Sequence, residues 1–185
     1  FPTRRSSDLV GRLVHAGVSA EELFGPAARE HAAAVLEDEV DVAVSDPEWD
    51  ELYTFLTEYV LSDLAASELW ERVERATTVY TEEPLHAVIR IDGADVEVQG
   101  VADLVVVMPD GDYHVEELKV QLAPATDMLR RRYRHQTKVY QWVLEQQVES
   151  AVSVEAQVTT VGAVAETYAA QSPSAGLREL LQIRN

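Results

Sequence analysis

The chain has 185 residues, and 33 acids against 15 bases give it a formal net charge of −18. Its 46% hydrophobic content suffices for a folded domain with a sizeable core, which disfavours the disorder that so high a charge would otherwise allow. The absence of cysteine excludes disulfides, thiolate zinc sites and iron–sulfur clusters, and no apolar run approaches the roughly 18 residues of a membrane span. Lys119 and Lys138 are the only lysines; every other base is arginine. Acids this abundant beside plentiful Ala and Val match a cytoplasmic protein of an organism that keeps molar salt inside the cell, where the Debye length falls to about 3 Å. The expected source is a halophilic archaeon, and the expected location its cytoplasm.

Residues 1–9, FPTRRSSDL, resemble the translation of a common sequencing adapter. The folded chain is therefore expected to enter at about residue 10 and to form a single domain over residues 10–185. Leu9, Val10, Leu13 and Val14 recur at helical spacing, with His15 beside that stripe. Residues 26–38, Ala-rich with Pro first, predict a helix. Asp46-Pro47-Glu48 starts another, which runs through Trp49, Leu52, Phe55 and Tyr59 toward Leu64, and a shorter helix follows over Ser67 to Arg75. Together these make a helical insertion over about residues 20–76. Strand character begins at Thr77, turns back near Gly93, runs from Val96 to Val107 and returns over Tyr113 to Val120. A long helix is expected from about Ala125 to Val148, then a strand from Val152 to Val161, a polar loop and a terminal helix near Leu177 to Ile183. The fold class is α/β (α+β), with a central mixed sheet of about four strands flanked by helices.

The chemistry concentrates in residues 100–119, GVADLVVVMPDGDYHVEELK. Asp103 interrupts an apolar run that otherwise reads as a strand buried on both faces, where an unpaired carboxylate is costly. Period-two alternation puts Glu117 and Lys119 on one face of the next strand. Pro109-Asp110-Gly111 suits a three-residue hairpin loop with Gly in the left-handed region. That loop pairs Met108 with Asp112 and sets Asp103 opposite Glu117, two carboxylates within about 5 Å at the backbone, a pairing that repels unless a cation lies between them. A two-residue loop would instead oppose Asp103 to Leu118 and break the constellation. Arg130, Arg131, Arg132, Arg134 and Lys138 form the basic cluster of an otherwise acidic chain, the natural phosphate-facing surface.

Gly100-Val101-Ala102-Asp103 and Glu117-Leu118-Lys119 resemble the GxxD and (D/E)xK pair of the PD-(D/E)XK nucleases, and the element order is similar to their restriction-endonuclease-like core. Three further segments resemble the RecB/AddA-type branch: Gly11 to His15 as GxxxH, Glu82-Glu83-Pro84-Leu85 as ExPF, and Tyr133, Gln136 and Tyr140 as YxxQxxxY. GxxD alone occurs by chance about once in a chain of this length, so the order of all five carries the resemblance. The chain departs from the family pattern with Glu at 117 in place of the commoner Asp, Val at 120 in place of Thr or Ser, and Leu at 85 in place of Phe.

The resemblance implies a Mg²⁺-dependent deoxyribonuclease, with Mn²⁺ as the other candidate ion, joined to a UvrD/Rep-like helicase in DNA repair and recombination. It implies Asp103, Glu117 and Lys119 as catalytic residues. His15, Asp103, Glu117 and the Leu118 carbonyl would be metal ligands, and Gln136, Tyr140, Tyr133, Arg130, Arg131 and Arg134 would support the site or face DNA. The partners expected are DNA and a helicase, with no membrane. The other reading is an inactive member of the same fold that binds DNA or scaffolds a helicase complex.

Overall fold

The computed structural model describes residues 49–50, 53–54, 56–91, 93–121, 123–148, 152–162 and 166–169. The adapter-like segment, the GxxxH helix with His15, the helix at 26–38 and the terminal helix at 177–183 lie outside these residues. The chain divides into two compact units, one drawn from Phe1–Trp70, Leu118–Pro124 and Thr160–Glu166, the other from Glu71–Glu117, Ala125–Thr159 and Thr167–Asn185.

In the first unit a π-helical turn, Leu56–Leu61, runs into α1 (Ser62–Ala65), and α2 (Glu68–Arg75) begins shortly after. Ser67 separates the two helices. Its hydroxyl donates to the Leu64 carbonyl at 2.6 Å and accepts from the Trp70 N–H at 3.2 Å, so one side chain ends α1 and caps α2. Trp49, Val60, Leu64, Leu69 and Trp70 are buried. Asp63 accepts from the Gly162 N–H at 2.9 Å, which ties α1 to the end of a later strand.

The sheet has five strands in the order β1-β2-β3-β4-β5, with β1 Thr78–Ile91, β2 Ala94–Val107, β3 Tyr113–Gln121, β4 Val154–Gly162 and β5 Glu166–Ala169. The first three form an antiparallel meander. Helix α3 (Asp127–Gln147) crosses between β3 and its neighbour β4, the long connection that a mixed sheet needs. Thr126 caps α3 by accepting from the Leu129 N–H at 3.3 Å, and Asp127 adds negative charge to the first turn, where the helix dipole favours it.

Tyr133, Thr137 and Leu144 recur at turn spacing on the buried face of α3, joined by Val143. The main core of the second unit draws Leu85 and Ala87 from β1, Ala102 and Val105 from β2, Val115 from β3, Val143 and Leu144 from α3, and Val154 and Ala156 from β4. Burying each of the larger aliphatic side chains contributes about 1.5–3 kcal/mol. The distal half of the β1–β2 ribbon stands clear of this core, so Val88 and Val96 are exposed.

The fifth strand is the departure from the expected sheet of about four. Glu166–Ala169 lies in the stretch expected as a polar loop, and four residues are too few for period-two alternation to show. Its Tyr168 is buried, with its ring 5.4 Å from that of Tyr133, in a small cluster with Ala125 and Val158.

Candidate functional site

The hairpin between β2 and β3 takes the three-residue form. The Met108 N–H donates to the Asp112 carbonyl at 2.8 Å, and the Gly111 N–H donates to the Met108 carbonyl at 2.9 Å. Gly111 has φ 93°, a conformation that a Cβ would resist. Asp110 adds its own brace by accepting from the Asp112 N–H at 3.2 Å. Beyond the loop the register runs from Val107↔Tyr113 to Leu104↔Glu116. One further step sets Asp103 opposite Glu117.

At that step a carboxylate meets a main-chain donor: the Asp103 N–H donates to Glu117 Oε1 at 3.2 Å. The other oxygen is held from α3, where Gln136 Nε2 donates to Glu117 Oε2 at 2.8 Å. Gln136 Nε2 also lies 3.5 Å from the Tyr140 hydroxyl, which donates to the Val101 carbonyl at 3.1 Å. Glu117 is thus fixed at both oxygens while only 2% exposed, and Asp103 is half-buried beside it. Two such donors, one to each oxygen, fix the orientation of a buried carboxylate.

Gly100 makes this arrangement possible. A Cβ at position 100 would lie 2.7 Å from Tyr140 Cε1, inside van der Waals contact. The glycine of GxxD is therefore the seat of the tyrosine of YxxQxxxY, and the two motifs are one packing unit.

Gln136 and Tyr140 are half-buried, one turn apart on the face of α3 toward the hairpin. Tyr133 lies instead in the apolar cluster with Tyr168, where it supports the helix. Arg131, Arg132 and Arg134 are exposed, and Arg130 and Lys138 are half-buried. Leu118 and Lys119 belong to the first compact unit, with the Leu118 side chain buried and Lys119 half-buried. His15 lies outside the described residues, and among those residues no group of three or more His, Asp or Glu is placed to hold a metal ion. Asp103 and Glu117 nevertheless fit a hard divalent cation, since both are carboxylates and the more buried one is oriented by two donors.

Sequence reasoning missed Glu116. Its side chain is fully buried on the opposite face of β3 and meets Arg72 Nη1 at 3.0 Å. Adjacent glutamates thus serve different ends, Glu117 at the candidate site and Glu116 in a partly buried ion pair. His114, two residues earlier, has its pKa lowered from the ordinary 6.5, first by burial and then by the Arg72 charge, against the opposing pull of Glu155, Asp112 and Asp110. Glu155 Oε2 lies only 3.4 Å from His114 Nδ1, but that carboxylate is 67% exposed, so solvent screens the attraction and burial prevails.

The family model of the PD-(D/E)XK nuclease superfamily matches residues 2–182. No curated protein matches the chain. Among solved structures, SSO0001 superposes with a TM-score of 0.45 at 16% identity, over 96% of this chain and 74% of its own. A provisionally named exonuclease from Eubacterium rectale superposes with a TM-score of 0.50 at 11% identity, over 99% of this chain. This chain covers 65% of that protein's length, and at such identity the likeness is one of fold. No described helix is long and apolar enough to cross a membrane.

Proposed function

Because the chain belongs to the PD-(D/E)XK nuclease superfamily, we propose that it is a divalent-metal-dependent deoxyribonuclease whose centre is Asp103, Glu117 and Lys119. The observation that carries the reading is the clamped Glu117 carboxylate across the hairpin from Asp103, held by the Asp103 N–H and by Gln136. A buried acid oriented by two donors suits a ligand better than a solvated surface charge.

In this reading Asp103, Glu117 and the Leu118 carbonyl hold Mg²⁺ or Mn²⁺, and His15 completes the set. When bound, the ion supplies Lewis acidity at the scissile phosphate and lowers the pKa of water there. Lys119 places an ammonium group by the attacked phosphodiester, where it orients the entering water and offsets the charge that develops on the phosphate oxygens. Gln136 and Tyr140 keep Glu117 in place, and Arg130, Arg131 and Arg134 meet the phosphates of the DNA strand. The finer assignment is a nuclease module of the RecB/AddA type, joined to a UvrD/Rep-like helicase that feeds it DNA in repair and recombination, in the cytoplasm of a halophilic archaeon.

The test is digestion of labelled single- and double-stranded DNA at high KCl with Mg²⁺ or Mn²⁺. Asp103→Ala and Lys119→Ala should each lower the rate by about 10²–10³-fold, the scale of removing one group that stabilises developing charge. Equal rates in wild type and both variants would sink the catalytic reading and leave a DNA-binding or scaffolding role.

A further inference from the structure

One register pairs β1 with β2 from Thr78↔Val107 to Ile91↔Ala94, and the single step it skips is Glu82 with Asp103. Glu82 has φ 49°, the one positive φ on a non-glycine residue among the described residues. Two departures from regular strand geometry therefore coincide beside a proposed metal ligand. Main-chain parity explains what they accomplish. The Met108 N–H points to β3, so even-numbered residues of β2 address β3 and odd-numbered ones address β1. In an uninterrupted ladder the Asp103 N–H would belong to Glu82. Here it donates to Glu117 Oε1 at 3.2 Å. An L-residue occupies the left-handed region against steric resistance, and such outliers persist where the surroundings over-determine them.

We propose that Glu82 is a positioning residue whose left-handed backbone opens the β1–β2 ladder at one step, so that the Asp103 amide reaches Glu117 and sets the spacing of the two carboxylates. The role belongs to the main chain at position 82, whose side chain is exposed. The inference rests on the reading of Asp103 and Glu117 as the pair that holds the cation.

Three substitutions in the full chain test it: Glu82→Gly and Glu82→Asn, which tolerate positive φ, and Glu82→Val, whose branched Cβ resists it. Without metal, the Asp103 amide proton should keep its wild-type chemical shift in the Gly and Asn variants and move in the Val variant. With Mn²⁺ and DNA, turnover of Glu82→Gly should exceed that of Glu82→Val by about tenfold at similar KM, the equivalent of one strained residue's worth of backbone energy. Should Glu82→Val fail to fold, Glu82→Thr, whose Cβ is also branched, takes its place, with the same direction expected. An unmoved Asp103 amide in the Val or Thr variant overturns the inference. Equal losses in Glu82→Gly and Glu82→Val also overturn it, because they would assign the role to the carboxylate. If the wild type cleaves DNA no faster than Asp103→Ala, the nuclease reading falls, and the amide shift alone decides the inference.

Discussion

At the scale of single residues, the neighbouring side chains of β3 do separate work, and each can be tested. Gln136→Ala removes the donor to Glu117 Oε2. It should weaken Mn²⁺ binding, measured by titration calorimetry, by about 10–100-fold, the usual cost of losing a group that orients a ligand. His114 offers a pH test. Its pKa is lowered in the fold, so as pH falls below the ordinary 6.5 the unfolded chain takes up a proton that the folded chain refuses. Stability should therefore decline as pH drops through that value, with no contribution from His114 above it. Urea midpoints measured across this range should fall less steeply for His114→Gln than for the wild type, and parallel curves would remove His114 as the cause. The roles of Glu117 and Glu116 were unequally legible. Alternation in β3 singled out Glu117 and Lys119, while the partner of Glu116 is Arg72, 44 positions away on α2, and no local pattern announces so distant a contact.

At the scale of elements, the hairpin decides whether the centre exists. Its loop could be read as two residues or three from composition, and Gly111 at φ 93° closes the three-residue form that brings Asp103 and Glu117 onto one face. Gly111→Val should cost about 1–2 kcal/mol in thermal or urea unfolding because a branched side chain resists that conformation. Deleting Asp112 should do more than destabilise. With Pro109-Asp110-Gly111 kept as the three-residue loop, Met108 then pairs with Tyr113, and this one-step shift turns every β3 side chain to the other face, so DNA cleavage should vanish even in protein that still folds. Cleavage at the wild-type rate would show that the register is not what assembles the site. The long elements were legible because their apolar periodicity spans many turns or pairs. The short strand β5 was not, since four residues hold two alternations and its assignment depends on Tyr168 meeting Tyr133 across the fold.

At the scale of the whole molecule, charge is the dominant variable. A net charge of −18 repels itself in dilute buffer and is screened in strong salt, so the melting temperature should rise between about 0.1 and 1 M KCl. A melting temperature that is flat or falls with salt would remove self-repulsion as a significant term. If the arginines of α3 meet DNA as proposed, the same salt weakens that attraction, which sets folding and substrate binding against each other and predicts a salt optimum for cleavage. The fold class was readable from the order of helices and strands, whereas the division of the chain into two compact units was not, because three separate segments contribute to each. Gly100 and Tyr140 carry a consequence for inheritance. With only 2.7 Å between a hypothetical Cβ and the tyrosine ring, a side chain gained at position 100 must be answered by bulk lost at position 140. Two segments 40 residues apart are thus coupled in selection, and homologous chains that carry a side chain in place of Gly100 should carry a smaller residue in place of Tyr140.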